Sequence, residues 1–246
     1  MIPLSIITVT YNAGKEIVTT LDSVEKQSYT DFEHIFVDGG SKDDTVESIR
    51  QAKINNKRIL VEKDNGIYDA MNKGLRMAQG EFVLFLNAGD SFADTDVILK
   101  FMNALKENPK ANVFYGQTSI VDSHGNYMGP RHLTAPDVLT AQDFKKGMLV
   151  CHQAFFARRS CTEPYNLRYS YSADFDWCLR ILLKGSDSIY LGDNPIVKYL
   201  NEGTTTKNHF ASLKERFDIM KAYFGFIPTI INHIGFVTRA IKRCLK

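Results

Sequence analysis

The chain has little cysteine. Four residues, Cys151, Cys161, Cys178 and Cys244, are spread over 246, and none stands in a C-x-x-C pair. That argues against a zinc site or a disulfide framework and favours reduced thiols in a cytosolic protein. No apolar run approaches the roughly 20 residues that span a bilayer. The nearest candidate, Phe224 to Val237, is broken by Pro228, Asn232 and His233. Met1-Ile2-Pro3-Leu4-Ser5 lacks the basic region and apolar core of a signal peptide, so a cytoplasmic location is expected. The formal net charge is only +2, which does not mark a binder of nucleic acid or other polyanions. There is no internal repeat or low-complexity tract. No strand is followed by G-x-G-x-x-G, which disfavours a dinucleotide-dependent dehydrogenase.

What the chain does have is 44% hydrophobic residues against 24% charged, enough core for one large or two small domains. The most informative stretch is Gly80 to Asp90. Five apolar residues, Phe82 to Leu86, stop abruptly at Asn87-Ala88-Gly89-Asp90. Such a run reads as a strand buried on both faces of a parallel sheet. A carboxylate just past its end lies at the carboxyl edge, where open α/β folds bind ligands. Asp90 can offer oxygen to a hard cation such as Mg2+ or Mn2+, which in turn holds phosphate oxygens. The plain alternative is a polar turn closing a core strand.

The same pattern precedes it three times. Leu4 to Thr10, Glu33 to Val37 and Arg58 to Glu62 read as strands, each followed by helical spacing: Ile17, Leu21 and Val24; Val46 and Ile49; Ile67, Met71, Leu75 and Ala78. This alternation implies right-handed crossovers and a mainly parallel sheet, with Thr10, Asp38, Glu62 and Asn87 gathered on one edge. Beyond Asp90 a helix is expected over Val97 to Leu105. A hairpin is expected from Asn112 to Val121 and Tyr127-Met128, then a strand over Ala154 to Ala157 and a helix over Phe175 to Lys184. Two short strands, Ser188 to Leu191 and Pro195 to Leu200, precede helices from Lys207 onward.

Four motifs now stand in order: Ser5-Ile6-Ile7-Thr8-Val9-Thr10-Tyr11-Asn12, Val37-Asp38-Gly39-Gly40-Ser41-Lys42-Asp43-Asp44-Thr45, Asn72-Lys73-Gly74 and Phe85-Leu86-Asn87-Ala88-Gly89-Asp90. Together they resemble glycosyltransferase family 2, and Ala173-Asp174-Phe175-Asp176-Trp177-Cys178-Leu179-Arg180 resembles its acidic segment before a helix. The resemblance implies a GT-A, Rossmann-like α/β fold. It also implies inverting transfer of one sugar from a nucleotide-diphosphate donor, a UDP-sugar by resemblance, to a glycan or lipid-linked acceptor of the cell envelope. It further implies a divalent metal, Mn2+ or Mg2+. Asp38 is similar to the carboxylate that accepts from the pyrimidine, with Thr10 and Tyr11 lining that pocket, although Tyr11 equally suits the core. Asp64 lies beside the nucleotide, and Lys63 or Lys73 is a source of charge there. Asn87 and Ala88 stand in the acidic D-x-D-type place, where only Asp90 is left as a charged metal ligand; His152 and His209 are further candidates. Asp174 matches the base, with Asp176 its rival. His152 and Trp177 fall on the acceptor side, and Glu202-Gly203-Thr204-Thr205-Thr206 suits a closing loop. The Gln-x-x-Arg-Trp motif of processive members is absent.

The resemblance divides the chain into residues 1–206, with a nucleotide half 1–95 and an acceptor half 96–206, and a helical tail 207–246. After Asp218 no acidic residue occurs, while Lys221, Arg239, Lys242, Arg243 and Lys246 accompany aromatics. Such helices suit an anionic membrane surface; packing on the domain or on a second copy in a homodimer is the alternative. Two other functions remain in view. A nucleotidyltransferase of related fold favours a Gly-rich basic loop after the first strand, which Thr10-Tyr11-Asn12-Ala13-Gly14 does not supply. A catalytically silent binding subunit is compatible with the thinned Asn87-x-x-Asp90 motif.

Overall fold

Four parallel strands form one half of the sheet, in the order β3 (Lys57–Val61), β2 (Glu33–Asp38), β1 (Leu4–Thr10), β4 (Phe82–Phe85). The structure is a computed structural model that describes residues 2–185, 187–201 and 209–234. β1 and β4 are buried on both faces: Ile7, Val9, Val83 and Phe85 point into one apolar cluster, Leu4, Ile6, Phe82, Leu84 and Leu86 into the other. That is the period-two consequence of a strand covered by helices above and below. The crossover helices are α1 (Glu16–Glu25), α2 (Thr45–Gln51) and α3 (Ile67–Met77), within one or two residues of the sequence expectation.

The other half of the sheet is mixed. β5 (Ser91–Phe92) and α4 (Val97–Glu107) follow β4, and the expected hairpin is present as β6 (Val113–Val121) and β7 (Tyr127–Pro130). β8 (Phe155–Arg158) runs antiparallel between β4 and β6, which joins the two halves. α5 (Ala173–Leu183) leads to β9 (Ser188–Leu200), parallel to β6 and antiparallel to β5. The sequence suggests two strands in place of β9. It is one strand with register shifts, because the pairing jumps from Tyr190 to Pro195 across Gly192, whose φ is +95°. The two-residue β5 was not legible either, since it is too short to carry a pattern.

α1, α2 and α4 cover one face of the sheet; α3, α5 and α6 (His209–Phe224) cover the other. α6 buries Ile219 and Met220 in the same core as Phe175 and Trp177. A boundary at residue 206 therefore does not separate two cores. Helix resumes over 226–234 after Gly225. The expected closing loop over 202–206, the His209 side chain and the basic residues beyond 234 lie outside the described residues.

Candidate active site

The ends of β1 and β2 are tied by their own polar side chains. Asp38 is fully buried, and each of its oxygens accepts two hydrogen bonds. Oδ1 takes the amides of Gly40 (3.0 Å) and Ser41 (2.7 Å); Oδ2 takes the hydroxyls of Thr10 (2.8 Å) and Ser41 (2.5 Å). That fills the roughly four lone-pair positions of a carboxylate. Asp38 and Thr10 are thus committed to the turn, and a pyrimidine N–H could reach Asp38 only if Ser41 released an oxygen. The turn is zipped to the β1 loop: Asn12 N donates to Ser41 Oγ (2.8 Å), Lys42 N to Asn12 Oδ1 (2.9 Å) and Ala13 N to Thr45 Oγ1 (2.8 Å). Held by this zipper, Tyr11 is 66% exposed, which excludes a core role.

Asp64 joins the same wall. Its Oδ1 accepts from Gly66 N at 3.0 Å. Its Oδ2 lies so close to the backbone of Gly39 that a Cβ there would come within 2.5 Å of it and 3.2 Å of the Tyr11 ring. Glycine at 39 is therefore what allows Tyr11 and Asp64 to close on the turn. Lys73 does not bring charge to this wall. Its Nζ is spent on Lys63 O (2.7 Å) and Glu62 (2.8 Å), bracing β3 against α3.

The Asn87–Asp90 corner rests on α1. The Thr20 hydroxyl donates to Asp90 O (2.7 Å) and accepts from Gly89 N (3.0 Å). Gly89 has φ +92°, and a Cβ there would meet Leu200 Cδ2 at 2.6 Å. Asp90 itself is only 3% exposed; Oδ2 accepts from Gln153 Nε2 (2.8 Å) and Oδ1 from Leu200 N (3.0 Å). Burial pushes its carboxyl up to about 6, against the pull of the Leu200 amide, the Gln153 amide and nearby His152.

Asp174 stands in the first turn of α5. Its Oδ1 accepts from the Tyr68 hydroxyl (3.2 Å) and Phe175 N (2.9 Å), and its Oδ2 lies 3.3 Å from His152 Nδ1. Burial opposes its charge, but the His152 hydrogen bond and charge, the Arg216 guanidinium and the Phe175 amide outweigh it, so the carboxyl lies below the usual range. Arg216 comes from α6, and its Nε is buried without a hydrogen-bond partner among the described residues. Sequence reasoning missed this residue; the only available signal was that it is the one arginine of α6.

The structure brings Asp90, His152 and Asp174 together and does not bring Asp176 or Trp177 with them. Asp176 is buried with Arg180 (2.8 Å) and the Tyr223 hydroxyl (3.0 Å). Two residues along an α-helix turn the side chain by about 200°, so the two carboxylates point to opposite sides of α5 and only Asp174 faces His152. Trp177 is core: it stacks on Tyr165 (5.1 Å between ring centroids) and donates to Glu163 O (2.9 Å). Asn72 clamps the same segment with two bonds to the Tyr165 backbone (3.0 and 2.7 Å), which gives the Asn-Lys-Gly motif a structural purpose. A groove of about 690 Å3 between α1 and the β6–β7 hairpin touches Gly89 and Leu200 but includes none of Tyr11, Asp38, Asp90, His152 or Asp174.

Among the described residues no three His, Cys, Asp or Glu side chains assemble as a metal site. The corner nevertheless suits a shared cation. Among the described residues Asp90 is a buried carboxylate without a cationic partner within salt-bridge distance, and Asn87 Oδ1 is buried without a hydrogen-bond partner. Both are hard oxygen donors, and a diphosphate and water would supply the remainder.

Comparison with known proteins bears on the fold and the family. The model of "Glycosyl transferase family 2" matches residues 5–163. A PGL/p-HBAD biosynthesis glycosyltransferase of Mycobacterium bovis is 32% identical over 217 residues, covering 85% of this chain and 78% of its own. Chondroitin synthase of Escherichia coli is 25% identical over 218 residues, covering 83% of this chain but 31% of its own. S. aureus TarS residues 1–349 share the fold with a TM-score of 0.73 at 18% identity, over 95% of this chain and 72% of that one. The mannosyltransferase PcManGT of Pyrobaculum calidifontis, solved with GDP-Man and Mn2+, gives a TM-score of 0.63 at 17% identity, over 94% of this chain and 68% of its own. The fold is thus that of GT-A enzymes. With the family model running from β1 past β8, through both motif-bearing halves of the sheet, the chain belongs to glycosyl transferase family 2 and is a glycosyltransferase.

Proposed function

We propose that the chain transfers one sugar, with inversion, from a UDP-sugar to a hydroxyl of a glycan or lipid-linked acceptor. One observation carries this: adjacent residues, His152 and Gln153, touch Asp174 and Asp90 respectively, so the carboxylates read as base and donor-side ligand are tied to one short turn. A UDP donor is favoured because TarS, with the same fold, was solved with UDP-GlcNAc. Tyr11 offers a ring face for the base, and Asp64 the adjoining wall; Asp38 orders the turn that carries them. A divalent cation would be held by Asp90, assisted by Asn87, and would stabilise the charge on the departing diphosphate.

Asp174 takes the proton of the acceptor hydroxyl as that oxygen bonds to the anomeric carbon and the bond to the diphosphate breaks. Its lowered pKa keeps it ionised at neutral pH, and Tyr68 and His152 hold the carboxylate in place. No covalent intermediate is needed, so one base suffices.

The acceptor is approached from the side of α6. Phe226, Ile227, Ile231 and Ile234 are exposed on the 226–234 helix. With the basic residues that follow in sequence, this face suits an anionic bilayer carrying a lipid-linked acceptor. Unchanged cosedimentation with anionic vesicles after truncation at Phe224 would remove that part.

The catalytic reading is tested by identifying a donor in a thermal-shift screen of nucleotide sugars with Mn2+ and then assaying Asp174→Asn. Transfer should fall by roughly 1000-fold or more while UDP still binds. Retained turnover would place the base elsewhere.

A further inference from the structure

We propose that His152-Gln153 is a strut that sets Asp174 and Asp90 at a fixed separation, making both residues positioning residues for the transfer. The proposal rests on the roles just given to the two carboxylates. Asp90 follows β4 and Asp174 opens α5, elements with no sequence continuity. His152 Nδ1 stands 3.3 Å from Asp174 Oδ2, and Gln153 Nε2 donates to Asp90 Oδ2 at 2.8 Å.

The strut is rigid for reasons local to it. His152–Ala154 is a single 3-10 turn with all three residues buried, closed by Ala154 N donating to Cys151 O (2.9 Å). It runs directly into β8, which is pinned by β4 on one side and β6 on the other. The Gln153 amide is held by its other end, because the Cys151 thiol donates to Oε1 at 2.6 Å and so turns Nε2 toward Asp90. At His152 the acceptor-only carboxylate of Asp174 selects the proton on Nδ1.

A single displacement needs this. The attacking oxygen and the leaving diphosphate lie on opposite sides of the anomeric carbon, so the base and the group that holds the diphosphate must keep their spacing. A displacement of about 1 Å in such a site costs roughly 100-fold in rate. Two adjacent residues, each bonded to one carboxylate, hold that spacing through a single peptide unit.

The test uses the full chain with its donor and Mn2+. Asparagine places an amide nitrogen where Nδ1 of histidine stands, whereas glutamine places one where Nε2 stands. His152→Ala should lower kcat roughly 100-fold with the KM for donor and the Kd for UDP unchanged. His152→Asn should recover at least about tenfold of that loss and His152→Gln should not. In an Asp174→Asn background, His152→Ala should cost nothing more, since the carboxylate it aims is gone. Gln153→Leu should instead raise the Kd for UDP in the presence of Mn2+. Melting curves of each variant separate misfolding from misalignment, because a merely structural histidine would lower stability without distinguishing Asn from Gln. Full activity of His152→Ala, equal rescue by Gln and Asn, or a further loss in the Asp174→Asn background would overturn the strut. An active Asp174→Asn variant would instead overturn the base assignment on which it rests.

Discussion

Asp90 should be a residue that the fold tolerates at a cost. Its carboxyl is pushed from 3.8 to about 6 by burial, with Gln153, the Leu200 amide and His152 only partly compensating. The other titratable neighbours add no positive charge: the Cys151 thiol is pushed up to about 11 and the Tyr199 hydroxyl further still, so both stay neutral. The folded pKa lies above the unfolded one. The group therefore contributes most favourably below about pH 3.8, and that contribution is lost as pH rises through 6. A rise of about two units corresponds to about 3 kcal/mol of destabilisation at pH 7.5. Asp90→Asn removes the charge. Its Oδ1 can keep the Leu200 amide, and its new Nδ2 can donate to Gln153 once that amide turns over, at the expense of the weak bond from the Cys151 thiol. Allowing about 1 kcal/mol for that rearrangement, the variant should be more stable by about 2 kcal/mol, or a Tm higher by about 4–8 °C for a chain of this size. Calorimetric melting in EDTA at pH 7.5 measures it, and the gain should vanish near pH 4, where wild-type Asp90 is already protonated. UDP with Mn2+ should then raise the Tm of wild type but not of the variant. A variant that melts at or below wild type at pH 7.5 would refute the claim that burial of the Asp90 charge is only partly compensated.

His34 should act in the opposite sense. Burial pushes it down to about 3, so its folded pKa lies below the unfolded value, and the unfolded chain takes the proton first. Stability is present above about pH 6.5 and declines as pH falls, by up to about 1.4 kcal/mol per unit. Between pH 4 and 6 Asp90 offsets this, so urea titrations should show a flat wild type and a sloping Asp90→Asn variant; equal slopes would count against both assignments. Tyr11→Ala should leave the Tm unchanged, since the ring is mostly exposed. It should weaken UDP binding by about 5- to 30-fold if base stacking is worth about 1–2 kcal/mol, and calorimetry reads the difference. Asp176→Asn should do the reverse of Asp174→Asn: turnover persists, while loss of charge beside Arg180 and Tyr223 lowers stability by about 1–3 kcal/mol. An inactive but stable Asp176→Asn protein would restore Asp176 as a rival base.

The parallel half of the sheet was legible because its information is local. Each strand is an apolar run that stops at a polar residue, and parallel crossovers place all such stops on one edge, so Thr10, Asp38 and Asn87 could be gathered from sequence alone. The partners of those residues were not legible. Asp90 is bonded by Gln153 and by the backbone of Leu200, and both reach it only through the pairing of β8 and β9 with the rest of the sheet. Asp38 shows the same limit from the other side. Its position was right, but its neighbours consume all its acceptor capacity, which only the turn geometry of Gly40 and Ser41 reveals.

The tail shows most plainly why a helical pattern underdetermines a role. Its helical spacing of apolar residues was readable, and a face directed at solvent or membrane was a fair expectation for such a pattern. Yet α6 is stitched to the approach of α5 by polar groups that no hydrophobic period reports. Glu215 accepts the amides of Ser170 and Tyr171 (2.8 and 2.9 Å), Ser212 meets Ser172 (3.0 Å), and Tyr223 reaches Asp176 (3.0 Å). These bonds fix the residues just before Asp174, and Arg216 between them adds charge to that carboxylate. Phe210 and Tyr223 are exposed within α6, but the contiguous exposed apolar side chains, Phe226, Ile227, Ile230, Ile231 and Ile234, lie past Gly225. The tail therefore divides at that glycine: the part before it braces the segment that carries Asp174, and the part after it presents an apolar surface. A substitution in α6 should thus be judged by its effect on Asp174, and one beyond Gly225 by whether it changes the vesicle binding proposed for that face.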